Sequence, residues 1–254
     1  MEKYELLDKL IAILCAERGE NVPALSQEEK ANYFRALCNV RMPAPITDKF
    51  VRLQDEYLQA LTVERGVVDV GTFDFQNGIA LWQGDITRLN ADAIVNACNS
   101  ALLGCFHPLH NCIDNVIHSA AGVQVRLDCN EIMQGREERN GSVQVTKAYN
   151  LPSKYIFHTV GPIVYGNVTA QNKTDLQNCY LSCLERAEQM GLKSIAFCCL
   201  STGEYRYPKA EACRLAVNTV KAWKERSGSA LKVIFNVYLK EDKELYEREL
   251  SFWN

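Results

Sequence analysis

The chain contains no apolar run of about eighteen residues, so nothing in it reads as a membrane-spanning helix. It also lacks an excess of positive charge: 28 Lys and Arg stand against 31 Asp and Glu, a formal net charge of −3. General nucleic-acid binding needs a concentrated basic face, and this balance argues against it. Neither G-x-G-x-x-G after a strand nor G-x-x-x-x-G-K-[ST] occurs, so any nucleotide must be held by another device. The opening MEKYELLDKLIAILCAERGE has no apolar core or small-residue cleavage site of a secretory signal. A cytoplasmic protein is therefore expected. Internal repeats and low-complexity segments are absent too.

Cysteine, by contrast, is plentiful, with 11 residues. Without an export signal these imply reduced thiols, a metal site or catalysis rather than a disulfide framework. Hydrophobic residues make up 47% of the chain and charged residues 23%, enough apolar material for a sizeable core.

Two rhythms divide the chain near residue 65. In residues 1–65, Tyr4, Leu7, Leu10, Ile11 and Leu14 fall at helical spacing, and Ser26 with Glu29 forms a capping-box start for a second helix. A third stripe, Phe50, Leu53, Tyr57 and Leu61, follows the break RMPAPITD. This part reads as an N-terminal helical extension.

In residues 66–254, short β-rich runs (GIALWQGDI, ADAIVNAC, GSVQVTKAYN, KYIFHTV, KSIAFCCLS, LKVIFNVY) alternate with helical patterns. The helices are expected at about residues 110–133, 172–190, 208–227 and 241–251. Alternation of this kind predicts a three-layer α/β/α sandwich with a mixed, largely parallel sheet. Ligands then bind beyond the carboxyl ends of the strands.

Four segments after strands are rich in small polar residues: QGDIT with Asp85, VNACNS with Asn99, STGEYRYP, and FNVY with Asn236 and Tyr238. Turn chemistry alone accounts for any one of them. Together at one sheet edge they suggest a ligand site. Asp85 can accept from an exocyclic amine, and backbone N–H groups over Ser201, Thr202, Gly203, Glu204 and Tyr205 can cradle a diphosphate. Tyr205 or Tyr238 can cover a sugar or a base.

Between the second strand and its helix the chain crowds soft donors: Cys105, His110 and Cys112 lie within eight positions. Two thiolates and an imidazole suit Zn²⁺, and three protein ligands leave a fourth position open. His107 is a further donor, restricted by Pro108. The other reading makes both cysteines buried small hydrophobes and the histidines loop residues. Spacing alone leaves both open. Cys179, Cys183, Cys198 and Cys199, with His118 and His158, read as core residues.

In order, GDIT, IVNACNS, DNVIHSAAG, YNLPSKYIFHTVGP and STGEYRYP resemble the macrodomain family, modules that bind ADP-ribose. The resemblance spans about residues 66–254. It implies that Asp85, with Ile86 beside it, binds the adenine end and that Asn99 reaches the distal ribose. It also implies that 201–205 binds the diphosphate with Tyr205 against that ribose, and that Asp114 positions an attacking water. Two features depart from the common pattern: CFHPLHNC replaces a glycine loop, and Arg206 stands where glycine is usual. Glu204 beside an expected diphosphate must face outward or toward the inserted loop. That loop and the helical extension resemble a zinc-containing branch of bacterial and fungal macrodomains.

The branch resemblance implies one Zn²⁺ per chain on Cys105, His110 and Cys112, and hydrolysis of mono-ADP-ribose from acidic side chains of a modified protein. It also implies, in some bacteria, a lipoyl-carrier protein modified by a class M sirtuin as the substrate. An ADP-ribose reader without turnover, and a hydrolase of O-acetyl-ADP-ribose or ADP-ribose 1″-phosphate, are the competing readings.

Overall fold

Residues 3–251 are described in this computed structural model; residues 1–2 and 252–254 of the two spans above lie outside them. Three helices come first: α1 (Lys3–Glu17), α2 (Gln27–Val40) and α3 (Asp48–Arg65). The Ser26 backbone N–H donates to Glu29 Oε2 at 2.8 Å, and the Ser26 hydroxyl accepts from the Glu29 N–H at 3.4 Å. This reciprocal box satisfies two amides that the first turn of α2 would otherwise leave open. Thr47 caps α3 more simply, its hydroxyl accepting from the Phe50 N–H at 3.2 Å.

The apolar stripes of the three helices meet one another. Leu7, Leu10, Ile11, Phe34, Phe50 and Tyr57 are buried in a core of their own, to which the second part of the chain contributes Val123.

The remaining chain builds a six-stranded sheet from β1 (Ile79–Gln83), β2 (Ala93–Ala97), β3 (Val143–Lys147), β4 (Tyr155–Thr159), β5 (Ser194–Phe197) and β6 (Lys232–Val237). Their order is β1-β6-β5-β2-β4-β3. Every neighbouring pair is parallel except β3 with β4. The central strands are apolar and closed to solvent along their length, as β5 (Ser-Ile-Ala-Phe) illustrates. Such continuous burial marks a sheet covered on both faces.

The covering helices are α4 (Ile113–Ala121), α5 (Val123–Met133), α6 (Ala170–Gln189), α7 (Lys209–Ser227) and α8 (Lys240–Ser251). After β2 the chain goes first to the edge strand β3 and returns through β4, which pairs with β2; after α6 it crosses to the other side of β2 and continues through β5 and β6. The direction of winding thus reverses between β2 and β5, where doubly wound sheets open a crevice.

One expected helix differs. The pattern over 110–133 is two helices, because Gly122 has φ +106° and ends α4 while starting α5. A Cβ there would lie 2.6 Å from Gln54 Nε2, so the extension packs directly against this break. Residues 110–112 remain in the preceding loop, with the Cys112 sulfur accepting from the Asn115 N–H at the start of α4.

Candidate active site

A cleft of about 830 Å³ opens at the carboxyl edge of the sheet. Its size falls in the range of about 300–1,000 Å³ usual for small-ligand sites. Asn99, Cys105, His110, Cys112, Asp114, Ser201, Thr202, Gly203, Glu204, Tyr205, Asn236 and Tyr238 all line it. Asp85 and Ile86 are not among the lining residues. Ile86 is buried, and Asp85 caps the short turn after β1, one oxygen accepting from the Thr87 N–H at 3.0 Å and its hydroxyl at 2.7 Å. Its other oxygen lies 3.9 Å from the Arg65 guanidinium.

The floor of the cleft is the turn after β5. Among the described residues, the N–H groups of 202 to 205 donate to no protein acceptor. The turn is closed instead by Arg206 N–H to the Gly203 carbonyl at 3.0 Å and Tyr207 N–H to the Ser201 carbonyl at 2.9 Å. Ser201 and Arg206 both hold positive φ, +63° and +58°, a conformation that costs a side-chain-bearing residue about 1–2 kcal/mol. Arg206 thereby occupies the geometry for which glycine is usual. Ser201 Oγ is buried without a partner. Backbone amides without a protein acceptor, close together in one turn, are a feature able to hold an anion without a cationic side chain. Lys209, the lysine in the lining, is already paired with Asp242 at 3.1 Å and with Glu241.

Across the cleft lies the loop before α4. Gly104 begins it at φ +80°, and a Cβ there would meet His118 Nδ1 at 2.9 Å. Asn99 Nδ2 donates to the Gly104 carbonyl at 3.1 Å, while its oxygen accepts from the Ala101 N–H at 3.1 Å. Asn99 thus holds the entry to this loop.

Cys105 Sγ, one ring nitrogen of His110 and Cys112 Sγ all lie within 4.8 Å of one another. The Cys105 Sγ to His110 Nδ1 separation is 3.6 Å. Sulfur and nitrogen bonded to one tetrahedral zinc at about 2.3 and about 2.0 Å stand about 3.5 Å apart, so this donor set fits the ion. His107 stays outside the trio, exposed, with Nδ1 3.4 Å from the Pro108 carbonyl and its ring centroid 5.4 Å from that of His110. Burial, aided by the neighbouring Cys105, pushes the Cys112 thiol up to about 12; a bound divalent cation reverses this preference by holding the thiolate. Glu204 does both things expected of it: its side chain is exposed, and Oε1 reaches to 3.7 Å from His110 Nε2.

Asp114 sits one residue beyond Ile113 at the start of α4 and is buried. Asn96 Nδ2 donates to it at 2.8 Å. Burial lifts its carboxyl to about 6, against the lowering pull of Asn96 and the more distant Arg126. His118 Nε2 lies 3.4 Å away without forming a hydrogen bond.

His158, read as a core histidine, is buried and contacts Thr146 Oγ1 at 2.9 Å and Asn96 Nδ2 at 3.3 Å. Of the cysteines read as core, Cys179, Cys183 and Cys198 are buried while Cys199 is only half-buried, and Cys198 and Cys199 both line the cleft. Lys209 and Asp242 in the cleft lining stand in no motif of the sequence, and Asn115, behind the donor loop, stands in DNVIHSAAG, where spacing assigns it no role. A lysine or an amide in a helical stretch carries no local sign of what it will face.

Residues 95–216 match the family described as Macro domain. A protein named protein-ADP-ribose hydrolase from Treponema medium is 45% identical over 240 residues, covering 92% of each chain. The chain belongs to the macrodomain family. A protein of the same name from Staphylococcus aureus (strain MRSA252) is 46% identical over 253 residues, covering 96% of this chain and 95% of its own. That alignment takes in the N-terminal helices of this macrodomain as well. The Trypanosoma brucei macrodomain solved in complex with ADP-ribose superposes with a TM-score of 0.66 at 28% identity, covering 85% of this chain and 94% of that one. Among the described residues no helix is long and apolar enough to cross a membrane.

Proposed function

We propose that this macrodomain is a zinc-dependent hydrolase that releases ADP-ribose from mono-ADP-ribosylated proteins, cleaving its bond to acidic side chains. The observation that carries this reading is the convergence on one cleft of a Cys-His-Cys donor trio, the buried carboxyl of Asp114 and the unpaired amides of 202–205. The near full-length relatives named as protein-ADP-ribose hydrolases support it.

The diphosphate lies on the amides of 202–205 and the Ser201 hydroxyl, which oppose its charge with fixed dipoles. Tyr205, its hydroxyl tied to the Cys98 carbonyl at 3.3 Å, packs against the distal ribose, with Asn99 at its edge. Asn236 and Tyr238 wall the other end, where the Asn236 amide donates to the Gly84 carbonyl at 2.9 Å. Asp85 and Ile86 serve the adenine from just beyond this wall.

Zinc on Cys105, His110 and Cys112, when bound, would supply Lewis acidity to an oxygen at the distal-ribose end of the cleft. Asp114 orients the water and accepts its proton, a role that a carboxyl lifted toward neutrality suits. Fixing the sugar and the water in one site makes attack nearly unimolecular.

The test is incubation of the protein, with and without chelator, with acceptors carrying ADP-ribose on acidic, serine or arginine side chains. An ADP-ribosylated lipoyl-carrier protein is the acidic acceptor to try first. Loss of label from the acidic acceptor alone, and only with metal present, is expected. Binding of ADP-ribose without turnover on any acceptor makes the protein a reader. Preferential turnover of O-acetyl-ADP-ribose or ADP-ribose 1″-phosphate makes it a small-molecule hydrolase.

A further inference from the structure

We infer that Arg35 and Asn39, on α2 of the N-terminal extension, are positioning residues for the metal loop. The inference rests on the reading that Cys105, His110 and Cys112 hold zinc. This loop has little of its own to fix it: within it, the His110 N–H reaches the His107 carbonyl at 3.2 Å, and Leu109 is held at φ +58°.

The restraint comes from outside. Arg35 Nη2 donates to the His110 carbonyl at 2.7 Å and to Asn115 Oδ1 at 2.8 Å. Asn115, fully buried, passes the grip on: its Nδ2 donates to the His107 carbonyl at 3.0 Å and the Cys105 carbonyl at 3.4 Å, and its backbone N–H donates to Cys112 Sγ at 3.5 Å. His110 and Cys105 are therefore bonded to Arg35 or to the side-chain amide that Arg35 orients, and Cys112 to the backbone of the same Asn115. Asn39, 2% exposed, accepts from the Leu109 N–H at 3.0 Å and donates to Ser119 Oγ at 3.0 Å. That bond holds the strained residue just before His110.

α2 itself is fixed at both sides. Phe34 and Leu37 are buried in the core of the extension. The carbonyls at its far end, Cys38 at 2.8 Å and Arg41, accept from the Arg126 guanidinium, which also donates to the Leu103 carbonyl at 2.6 Å ahead of the loop. A rigid guanidinium fork that meets two acceptors at once sets direction as well as distance. Groups that orient metal ligands without touching the ion change affinity by about 10–100-fold when removed.

The experiment compares zinc dissociation constants of the full chain, by competition with a chromophoric chelator, for wild type, Arg35→Ala, Arg35→Lys and Asn39→Ala. Arg52→Ala, at an exposed position of α3, is the control. Both alanine variants are expected to bind zinc about 10–100-fold more weakly, with circular dichroism and ADP-ribose affinity unchanged. Arg35→Lys restores part of the loss, and Arg52→Ala has no effect. Wild-type zinc affinity in both alanine variants overturns the inference while leaving the zinc reading intact. A wild-type chain that takes up no zinc removes the zinc reading and the inference with it. Should Arg35→Ala fail to fold, Asn39→Ala decides alone: unchanged affinity there is the overturning result.

Discussion

Asn96 Nδ2 donates to Asp114 Oδ1 at 2.8 Å, both side chains buried, and so joins the end of the central strand β2 to the first turn of α4. The bond aims the carboxylate from beneath and leaves it at the cleft. Replacing Asp114 by Asn keeps the shape and removes the base. Hydrolysis should fall by about 10²-fold or more, while ADP-ribose affinity by calorimetry stays within a few-fold of wild type. Unchanged turnover would remove Asp114 from the chemistry.

Protein purified without chelator should carry about one zinc per chain, measured by inductively coupled plasma mass spectrometry. Cys112→Ala, with one of the three donors gone, should lose both the metal and hydrolysis yet keep ADP-ribose binding, since the cradle at 202–205 lies on a different loop.

Ser201 Oγ is buried without a hydrogen-bond partner, and the proposed site has it donate to a phosphate oxygen. A hydrogen bond to a charged acceptor contributes about 1.5–3 kcal/mol. Ser201→Ala should therefore weaken ADP-ribose binding by about 10- to 100-fold without altering zinc content. Equal affinity would place the phosphates elsewhere.

Stability should fall on acidification. Burial pushes His158 down to about 3 and His118 well below the ordinary histidine value. Below about pH 6.5 the unfolded chain takes up protons that these folded imidazoles refuse. The stability they contribute is complete above pH 6.5 and is lost as pH falls toward the folded values, about 2 kcal/mol for His158 by pH 5. Asp114, raised to about 6, acts in the opposite sense over pH 4–6 and offsets part of the loss. Urea denaturation at pH 7.5 and 5.0 checks this: His158→Asn should flatten the difference relative to wild type.

Leu10, fully buried between the three N-terminal helices, should cost about 2–5 kcal/mol when cut to alanine. Because α2 grips the metal loop, Leu10→Ala should also loosen zinc. A destabilised protein with wild-type zinc affinity would separate the two parts of the chain.

Much of the architecture was legible along the chain because the signals are local. Ser26 and Glu29 stand three residues apart and make the capping box that their spacing predicts. The expected helices over 172–190, 208–227 and 241–251 lie at Ala170–Gln189, Lys209–Ser227 and Lys240–Ser251. Gly122 misled for the opposite reason. Its neighbours keep helical spacing, and the break lies in its backbone, φ +106°, where Gln54 and Asn150 leave no room for a side chain.

The candidate site divides along the same line. The donor trio is adjacent in sequence, and its members do meet within 4.8 Å. Asp85 stands in a motif like its neighbours, yet packing places it at the end of the outer strand, beside the cleft lining.

Most helices and strands, the faces they bury and the loop that concentrates soft donors follow from local rules along the chain. Backbone hydrogen bonding and side-chain periodicity act over a few residues, and those rules can be read in one dimension. That Arg35 meets His110 across 75 positions and that Asn96 lies beneath Asp114 came from the packing of the folded chain. Such meetings depend on how rigid elements pack against one another, and no local pattern encodes them.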